Sequence, residues 1–357
     1  MVAVTETGQR IRVLICDDSP LTREMLAQII GSDPIIDVIG FASDGQQAVE
    51  LVSSLRPDLV TMDIHMPKVD GLEATRRIMA YTPVPILVVS SSVYGEGMGL
   101  AFEALQFGAL EVIKKPEPKD WADLERIGRD IIRKIKILSR VKVITHVSGR
   151  DRDRKRDTAQ VPQRQHRASR EVGIVAIGSS TGGPSALHAI LSQLPENFPV
   201  PIVIAQHIAD GFIPGLVDWL DNNCGLHVAE AQQDQAVLPG TAYFAPTGRN
   251  LEVVGSRTQF VKPQPGQLYI PSADTLLASV AKSYGRRSLG VILTGMGADG
   301  AKGLRAMHDL GAYTVAQDEA TSVVYGMPRA AKDAGAVDKV LPIERIADAI
   351  VNAVVSV

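Results

Sequence analysis

Ser180 stands just past the apolar run Gly173-Ile-Val-Ala-Ile-Gly178, in a turn bounded by Gly178 on one side and Gly182-Gly183 on the other. A helical stretch beginning Pro184-Ser-Ala-Leu187 follows, so the turn lifts one serine hydroxyl out of a strand end. That hydroxyl is a poor nucleophile until a base takes its proton, so the chemistry needs a histidine and an orienting acid within reach. His207 follows the run Val200-Pro-Ile-Val-Ile-Ala205, and Asp299 follows Leu289-Gly-Val-Ile-Leu-Thr-Gly295. All three residues therefore sit past a strand, and in parallel α/β sheets those ends form one functional edge. The turn by itself also fits a phosphate cradle at a helix N-terminus. Its glycines, however, match neither the dinucleotide spacing nor the P-loop, which also needs a lysine, and Ser179-Ser180-Thr181 is not Gly-x-Ser-x-Gly. His188, His227 and His308 fall on helix or strand positions where packing or solvent exposure accounts for them.

A second group of polar residues collects at other strand ends. Asp17 and Asp18 close the first apolar run and Asp63 the third. Neighbouring strand ends would crowd three carboxylates into one pocket, which is costly without a cation, and hard oxygen ligands with room for water suit Mg²⁺. Ser90 ends the fourth run, and Lys115 ends the fifth, before Pro116. A hydroxyl and an ammonium at that edge could hold the oxygens of a phosphoryl group carried on a carboxylate. Any one strand-end aspartate, taken alone, reads as a helix N-cap.

The elements that must position these residues alternate, apolar run with amphipathic stretch, twice along the 357-residue chain. Ile11–Cys16, Ile35–Phe41, Leu59–Met62, Pro85–Val89 and Leu110–Ile113 read as five strands, each followed by a helix. The expected class is α/β: a five-stranded parallel, doubly wound domain over residues 10–137, then a doubly wound, mostly parallel domain over 171–357. Thr241–Phe244 and Leu251–Val254 around Pro246-Thr-Gly-Arg-Asn250 are expected to make a hairpin on one edge of the second sheet. Between the domains, 138–170 is an Arg-rich polar linker with almost no apolar content from Gly149 to Arg170. It lacks interleaved aromatics and holds compensating aspartates, so it reads as a solvated connector rather than a nucleic-acid patch. A net charge of −3 gives no general reason for a nucleic-acid or anionic-membrane partner, and no apolar run is long enough to span a bilayer. Cys16 and Cys224 form neither a disulfide framework nor a zinc spacing, and no signal peptide opens the sequence, so the reducing cytoplasm is the expected compartment; a monomer is the expected state.

Asp17-Asp18, Asp63-Ile-His-Met-Pro-Lys-Val-Asp-Gly71, Ser90 and Lys115-Pro116 resemble the receiver domain of two-component response regulators. The resemblance implies that Asp63 is the phosphoacceptor and a sensor histidine kinase the phosphodonor. It also implies that Mg²⁺ is held by Asp18 directly, Asp17 through water, Asp63 and the backbone carbonyl of His65, with Ser90 and Lys115 sensing the phosphoryl group. His65 departs from the acidic or amide residue common at its place, and Val112 stands where many receivers carry an aromatic switch residue.

Gly178-Ser-Ser-Thr-Gly-Gly183, Ala205-Gln-His-Ile208 and Leu293-Thr-Gly-Met-Gly-Ala-Asp-Gly300 look like the three signatures of the chemotaxis protein-glutamate methylesterases, the CheB family. That resemblance implies that Ser180 is the nucleophile, His207 the general base and later acid, and Asp299 the group that orients the imidazole. Backbone N–H groups of Thr181 and Met296 are then the candidate oxyanion donors. The implied reaction is phosphorylation-regulated hydrolysis of glutamate methyl esters on chemoreceptors, releasing methanol, with glutamine deamidation as a second activity and no cofactor for the hydrolysis itself. The competing readings are a receiver-controlled docking module without turnover and a nucleotide-binding output domain resting on the glycine-rich turn.

Overall fold

The computed structural model describes residues 10–91, 98–143 and 171–355. The chain divides between residues 146 and 147 into two compact units. In the first, β1 (Ile11–Cys16), α1 (Pro20–Gly31), β2 (Ile36–Ala42), α2 (Gly45–Leu55), β3 (Leu59–Met62), α3 (Gly71–Tyr81), β4 (Ile86–Ser90), α4 (Met98–Gln106), β5 (Glu111–Lys114) and α5 (Trp121–Leu138) alternate strictly. The sheet order is β2-β1-β3-β4-β5 with every neighbour parallel. Strands such as Val13-Leu14-Ile15 and Leu59-Val60 are buried because helices cover both faces, and this is why they read as continuous apolar runs instead of alternating ones. Each of the five strands lies within one residue of its expected span. α5 ends at the fully buried Leu138, so packing in this unit runs past residue 137, and the expected linker lies from residue 144 onward outside the described residues.

In the second unit, β6 (Ile174–Ser179), α6 (Gly183–Leu191), β7 (Ile202–Gln206), α7 (Ile213–Asn223), β8 (His227–Glu230) and β9 (Thr241–Phe244) precede a separate ribbon of β10 (Asn250–Val254) and β11 (Arg257–Val261). α8 (Ala273–Tyr284), β12 (Ser288–Ile292), α9 (Ala301–Asp309), β13 (Tyr313–Gln317), α10 (Met327–Asp333), β14 (Lys339–Leu341) and α11 (Ile343–Val355) complete it. The seven-stranded sheet has the order β14-β13-β12-β6-β7-β9-β8 and is parallel throughout. From β6 the chain builds outward through β7 on one side and, later, through β12 on the other. The carboxyl ends of β6, β7 and β12 therefore meet at the topological switch point, where open α/β sheets hold their ligands.

The hairpin differs from expectation in its partner. Thr241–Phe244 is an internal strand of the main sheet, parallel to both β7 and β8, with Ala242, Tyr243 and Phe244 buried. The antiparallel pair is β10 with β11, closed by Gly255 at φ 60° and Ser256, and it forms its own two-stranded sheet. Gly-Ser between two strand-like runs is a two-residue hairpin signal. The stretch Thr241–Phe244 is short and apolar on both faces, which is the signature of a buried parallel strand.

Candidate active site

Register brings the second unit's candidate residues together. Ser179 pairs with Gln206 and Gly178 with Ile292, so Ser180, His207 and Thr294 leave three adjacent strand ends side by side. Backbone bonds pin them there: His207 N–H donates to Ser179 O (3.0 Å) and Ser180 N–H to Thr294 O (3.0 Å). The wholly buried Gln206 adds a side-chain clamp. Its amide nitrogen donates to the carbonyls of Ser180 (2.9 Å) and His207 (2.8 Å), while its oxygen accepts from Ser179 Oγ (2.6 Å).

The two adjacent serines thus have different tasks. Ser179 is fully buried with its hydroxyl spent on Gln206, whereas Ser180 is 8% exposed at the mouth of the turn. The glycines around it make room for protein rather than for phosphate. A Cβ on Gly183 would lie 2.0 Å from Gln206 Oε1, and one on Gly182 (φ 76°) would lie 2.6 Å from Val323. That close packing disfavours the nucleotide cradle. Gly295 is just as constrained, since its Cβ would meet Met327 Sδ at 2.3 Å and Ser180 Cβ at 2.7 Å. Overpacking of this kind costs about 1–3 kcal/mol, so Gly295→Ala is expected to lower the urea midpoint of unfolding with an unchanged denaturant slope.

Asp299 lies before α9 and points into the N-terminus of α8. Its Oδ2 accepts from His207 Nε2 (2.8 Å) and Ala273 N–H (2.7 Å), and its Oδ1 from Ser272 Oγ (2.9 Å) and Asp274 N–H (3.1 Å). Burial pushes this carboxyl up, but His207 and the N–H groups at the start of α8 outweigh it and hold Asp299 below the usual carboxylate range. An ionised carboxylate only accepts hydrogen bonds, so the shared proton belongs to His207 Nε2. The other ring nitrogen, Nδ1, is then the basic one, and it is buried without a hydrogen-bond partner. The Ser180–His207 bond that proton transfer requires is not made here; such bonds are commonly long or absent before substrate binds. The imidazole is covered on one face by Tyr269, stacked nearly parallel to it at 4.7 Å between centroids and an 8° tilt.

Asp274 returns the capping. From the first turn of α8 its Oδ1 accepts Gly303 N–H (2.8 Å) at the start of α9, so the N-terminus of each helix is capped by a carboxylate from the N-terminal end of the other. Among the described residues the N–H groups of Thr181 and Met296 are spent in no hydrogen bond, which leaves both candidate oxyanion donors available. The sequence reading missed Ser272, Tyr269 and Gln206. For Ser272 a signal existed: a serine just ahead of an amphipathic run is an N-cap, and Ser272 Oγ accepts from Thr275 N–H (3.2 Å).

The first unit's acidic cluster also assembles. Ligand atoms of Asp17, Asp18 and Asp63 all lie within 4.8 Å of one another. Lys115 Nζ lies 2.8 Å from both Asp17 and Asp63, and Lys115 N–H donates to Ser90 O (2.9 Å), placing the fourth and fifth strand ends beside the aspartates. Burial, aided by the charge of Asp17, raises the Asp63 carboxyl above its ordinary value despite the opposing pull of Lys115. Burial pulls Lys115 down, but its hydrogen bonds to both aspartates prevail and raise it. Asp63 Oδ1 is buried with no partner, the kind of orphaned oxygen that a divalent cation would satisfy, so this donor set fits Mg²⁺. The loop carrying His65 is held close by Gly71, whose Cβ would lie 1.8 Å from Asp63 O. Val112 is buried in β5.

Two family models match the chain: the response regulator receiver domain over residues 13–123 and the CheB methylesterase over residues 175–350. A protein-glutamate methylesterase/protein-glutamine glutaminase of Anaeromyxobacter dehalogenans (strain 2CP-C) is 47% identical over 94% of this chain and 95% of its own. A namesake from Syntrophus aciditrophicus (strain SB) is 43% identical over 96% of this chain and 98% of its own. Among solved structures, the Thermotoga maritima CheB methylesterase catalytic domain is 38% identical, with a TM-score of 0.48, covering 51% of this chain and 98% of that one.

Proposed function

The chain belongs to the CheB methylesterase family, and from that premise we propose how its own residues carry out the reaction. It is a phosphorylation-regulated hydrolase of glutamate methyl esters on chemoreceptors, with protein-glutamine glutaminase activity alongside. In the proposed mechanism Ser180 Oγ attacks the ester carbonyl carbon while its proton passes to His207 Nδ1. The carbonyl oxygen, now negative, is held by the N–H groups of Thr181 and Met296, a contribution of a few kcal/mol in such sites. The tetrahedral intermediate collapses, and the methoxide leaves as methanol with the proton from His207. Water then gives a proton to His207 and attacks the acyl-serine, and the receptor carboxylate departs as Ser180 recovers its proton. With a glutamine substrate the same sequence expels ammonia. Asp299 keeps the Nε2 proton in place and balances the imidazolium formed in each half.

The observation that best supports this reading is the imidazole of His207: one nitrogen donates to a carboxylate set in a helix N-terminus, and the other is buried and unpaired next to the strand end that carries Ser180.

In the receiver, Asp63 accepts the phosphoryl group from a histidine kinase, and Lys115 and Ser90 engage its oxygens. Asp18, Asp63 and the His65 carbonyl would hold Mg²⁺, with Asp17 acting through water. The cation supplies positive charge where phosphoryl oxygens gather. Among the described residues no helix is long and apolar enough to cross a membrane, and we read the protein as cytoplasmic, meeting the receptor's cytoplasmic helices.

The test is methanol release from a methylated receptor cytoplasmic fragment, with and without a small-molecule phosphodonor and Mg²⁺. The full chain is expected to speed up about tenfold or more, which needs only about 1.4 kcal/mol of bias between resting and active states. Asp63→Ala is expected to keep the resting rate and lose the response. A response intact in that variant overturns the phosphoacceptor assignment, and no methanol from either protein overturns the hydrolase reading.

A further inference from the structure

One short segment meets both members of the His207–Asp299 pair. Ser272 Oγ donates to Asp299 Oδ1 (2.9 Å), and three residues earlier Tyr269 lies flat against the imidazole of His207 at 4.7 Å and 8°. Asp299 restrains the ring through one nitrogen only, and the torsion that turns an imidazole about its attachment has broad wells. A second flat surface parallel to the ring removes that freedom. Tyr269 is itself fixed at its far end: a Cβ on Gly297 would lie 2.6 Å from the Tyr269 hydroxyl oxygen, so the tyrosine tip rests on the backbone of the loop that carries Met296 and Asp299. The side chain of His207 is only 10% exposed with this cover in place.

We infer that Tyr269 is a positioning residue for the reaction, holding the plane of the His207 ring so that Nε2 stays on Asp299 while Nδ1 is kept in the orientation from which it can take the Ser180 proton once substrate binds. The working part is the aromatic face. The hydroxyl adds only its contact with the backbone of Gly297, and a ring without it still covers the imidazole. The inference rests on His207 being the base.

The experiment measures kcat and KM for methanol release from a methylated receptor fragment, using full-length protein in the presence of phosphodonor and Mg²⁺, for Tyr269→Phe, Tyr269→Leu and His207→Gln. Tyr269→Leu is expected to lower kcat about ten- to a hundredfold, the scale of a misplacement near 1 Å, with KM changed less than about twofold. Tyr269→Phe is expected to retain at least half of the kcat. Proton NMR supplies a second readout, in which the slowly exchanging imidazole N–H of the His207–Asp299 bond persists in the phenylalanine variant and broadens away in the leucine variant. If leucine prevents folding, Tyr269→Met serves in its place. A normal kcat in the leucine variant overturns the inference, as does equal loss in the phenylalanine variant. A rise in KM alone also overturns it, by making Tyr269 a receptor contact. His207→Gln separates the two levels: full turnover there removes the base itself, whereas an inactive glutamine variant beside a normal leucine variant removes only the role of Tyr269.

Discussion

Ser180→Ala is expected to abolish methanol release, while Ser179→Ala, one residue away, keeps most of the turnover and loses stability instead. Nucleophile removal in a serine hydrolase costs on the order of 10⁶ in kcat. The adjacent serine cannot substitute, because Ser179 is fully buried and its Oγ is committed to Gln206 at 2.6 Å. Removing that hydroxyl leaves Gln206 Oε1 short of a donor in a closed interior, a loss of about 1–3 kcal/mol. The two variants therefore separate in opposite directions when turnover and thermal unfolding are measured together. Equal loss of turnover in both would end the assignment of a single nucleophile.

Asp299→Asn is the second large effect, and the hydrogen bonds around that carboxylate dictate it. Four donors converge on it: Ser272 Oγ, Ala273 N–H, Asp274 N–H and His207 Nε2. An amide offers one accepting oxygen and one donating nitrogen, so at least one donor must face another. If the amide nitrogen faces His207, the imidazole is driven to the wrong tautomer, and Nδ1 carries the proton where a base is needed. Turnover is expected to fall about 10⁴-fold, as for the equivalent change in a protease triad. The acid side of the stability profile also changes. The Asp299 carboxyl is held below its ordinary value in the folded protein, so its stabilisation is complete above the unfolded value of about 3.9 and fades as pH falls toward the lower folded value. The asparagine variant is expected to lose this part of the acid dependence in denaturation experiments. Near-wild-type turnover would reduce the glycine-rich loop to a structural role.

The sequence made the strand ends legible because buried parallel strands leave continuous apolar runs and because chemistry collects just after them. That rule singles out Ser180, His207 and Asp299 as candidates, and Asp63 and Lys115 with them. The partners of those residues were harder to see. Tyr269 belongs to no periodic run, and its importance comes from a ring plane that only the folded chain defines. Ala273 and Asp274 reach Asp299 through backbone N–H groups, which every residue carries, so nothing in their identity marks that contact. Gln206 sat in plain view between Ala205 and His207, but its hydrogen bonds to Ser179 and Ser180 depend on β6 and β7 lying side by side. Thr241–Phe244 went astray for a related reason: a four-residue apolar strand does not declare its neighbours, and those proved to be β7 and β8 rather than the following run.

The exchange of carboxylate caps between α8 and α9 bears on when the enzyme becomes competent. Asp299 gains its backbone donors only where α8 begins, and Gly303 meets Asp274 only when α9 has come close enough that a Cβ there would lie 2.6 Å from Asp274 O. In the proposed mechanism the orienting acid therefore loses its setting in any partly opened state in which the two helices separate, even if Ser180 and His207 remain on an intact sheet. Hydrolytic competence is tied to one cooperative unit, and the amide hydrogens of Ala273, Asp274 and Gly303 are its reporters. Their exchange with solvent should slow and quicken together, and its rate measures how often the molecule sets its triad aside without unfolding the rest.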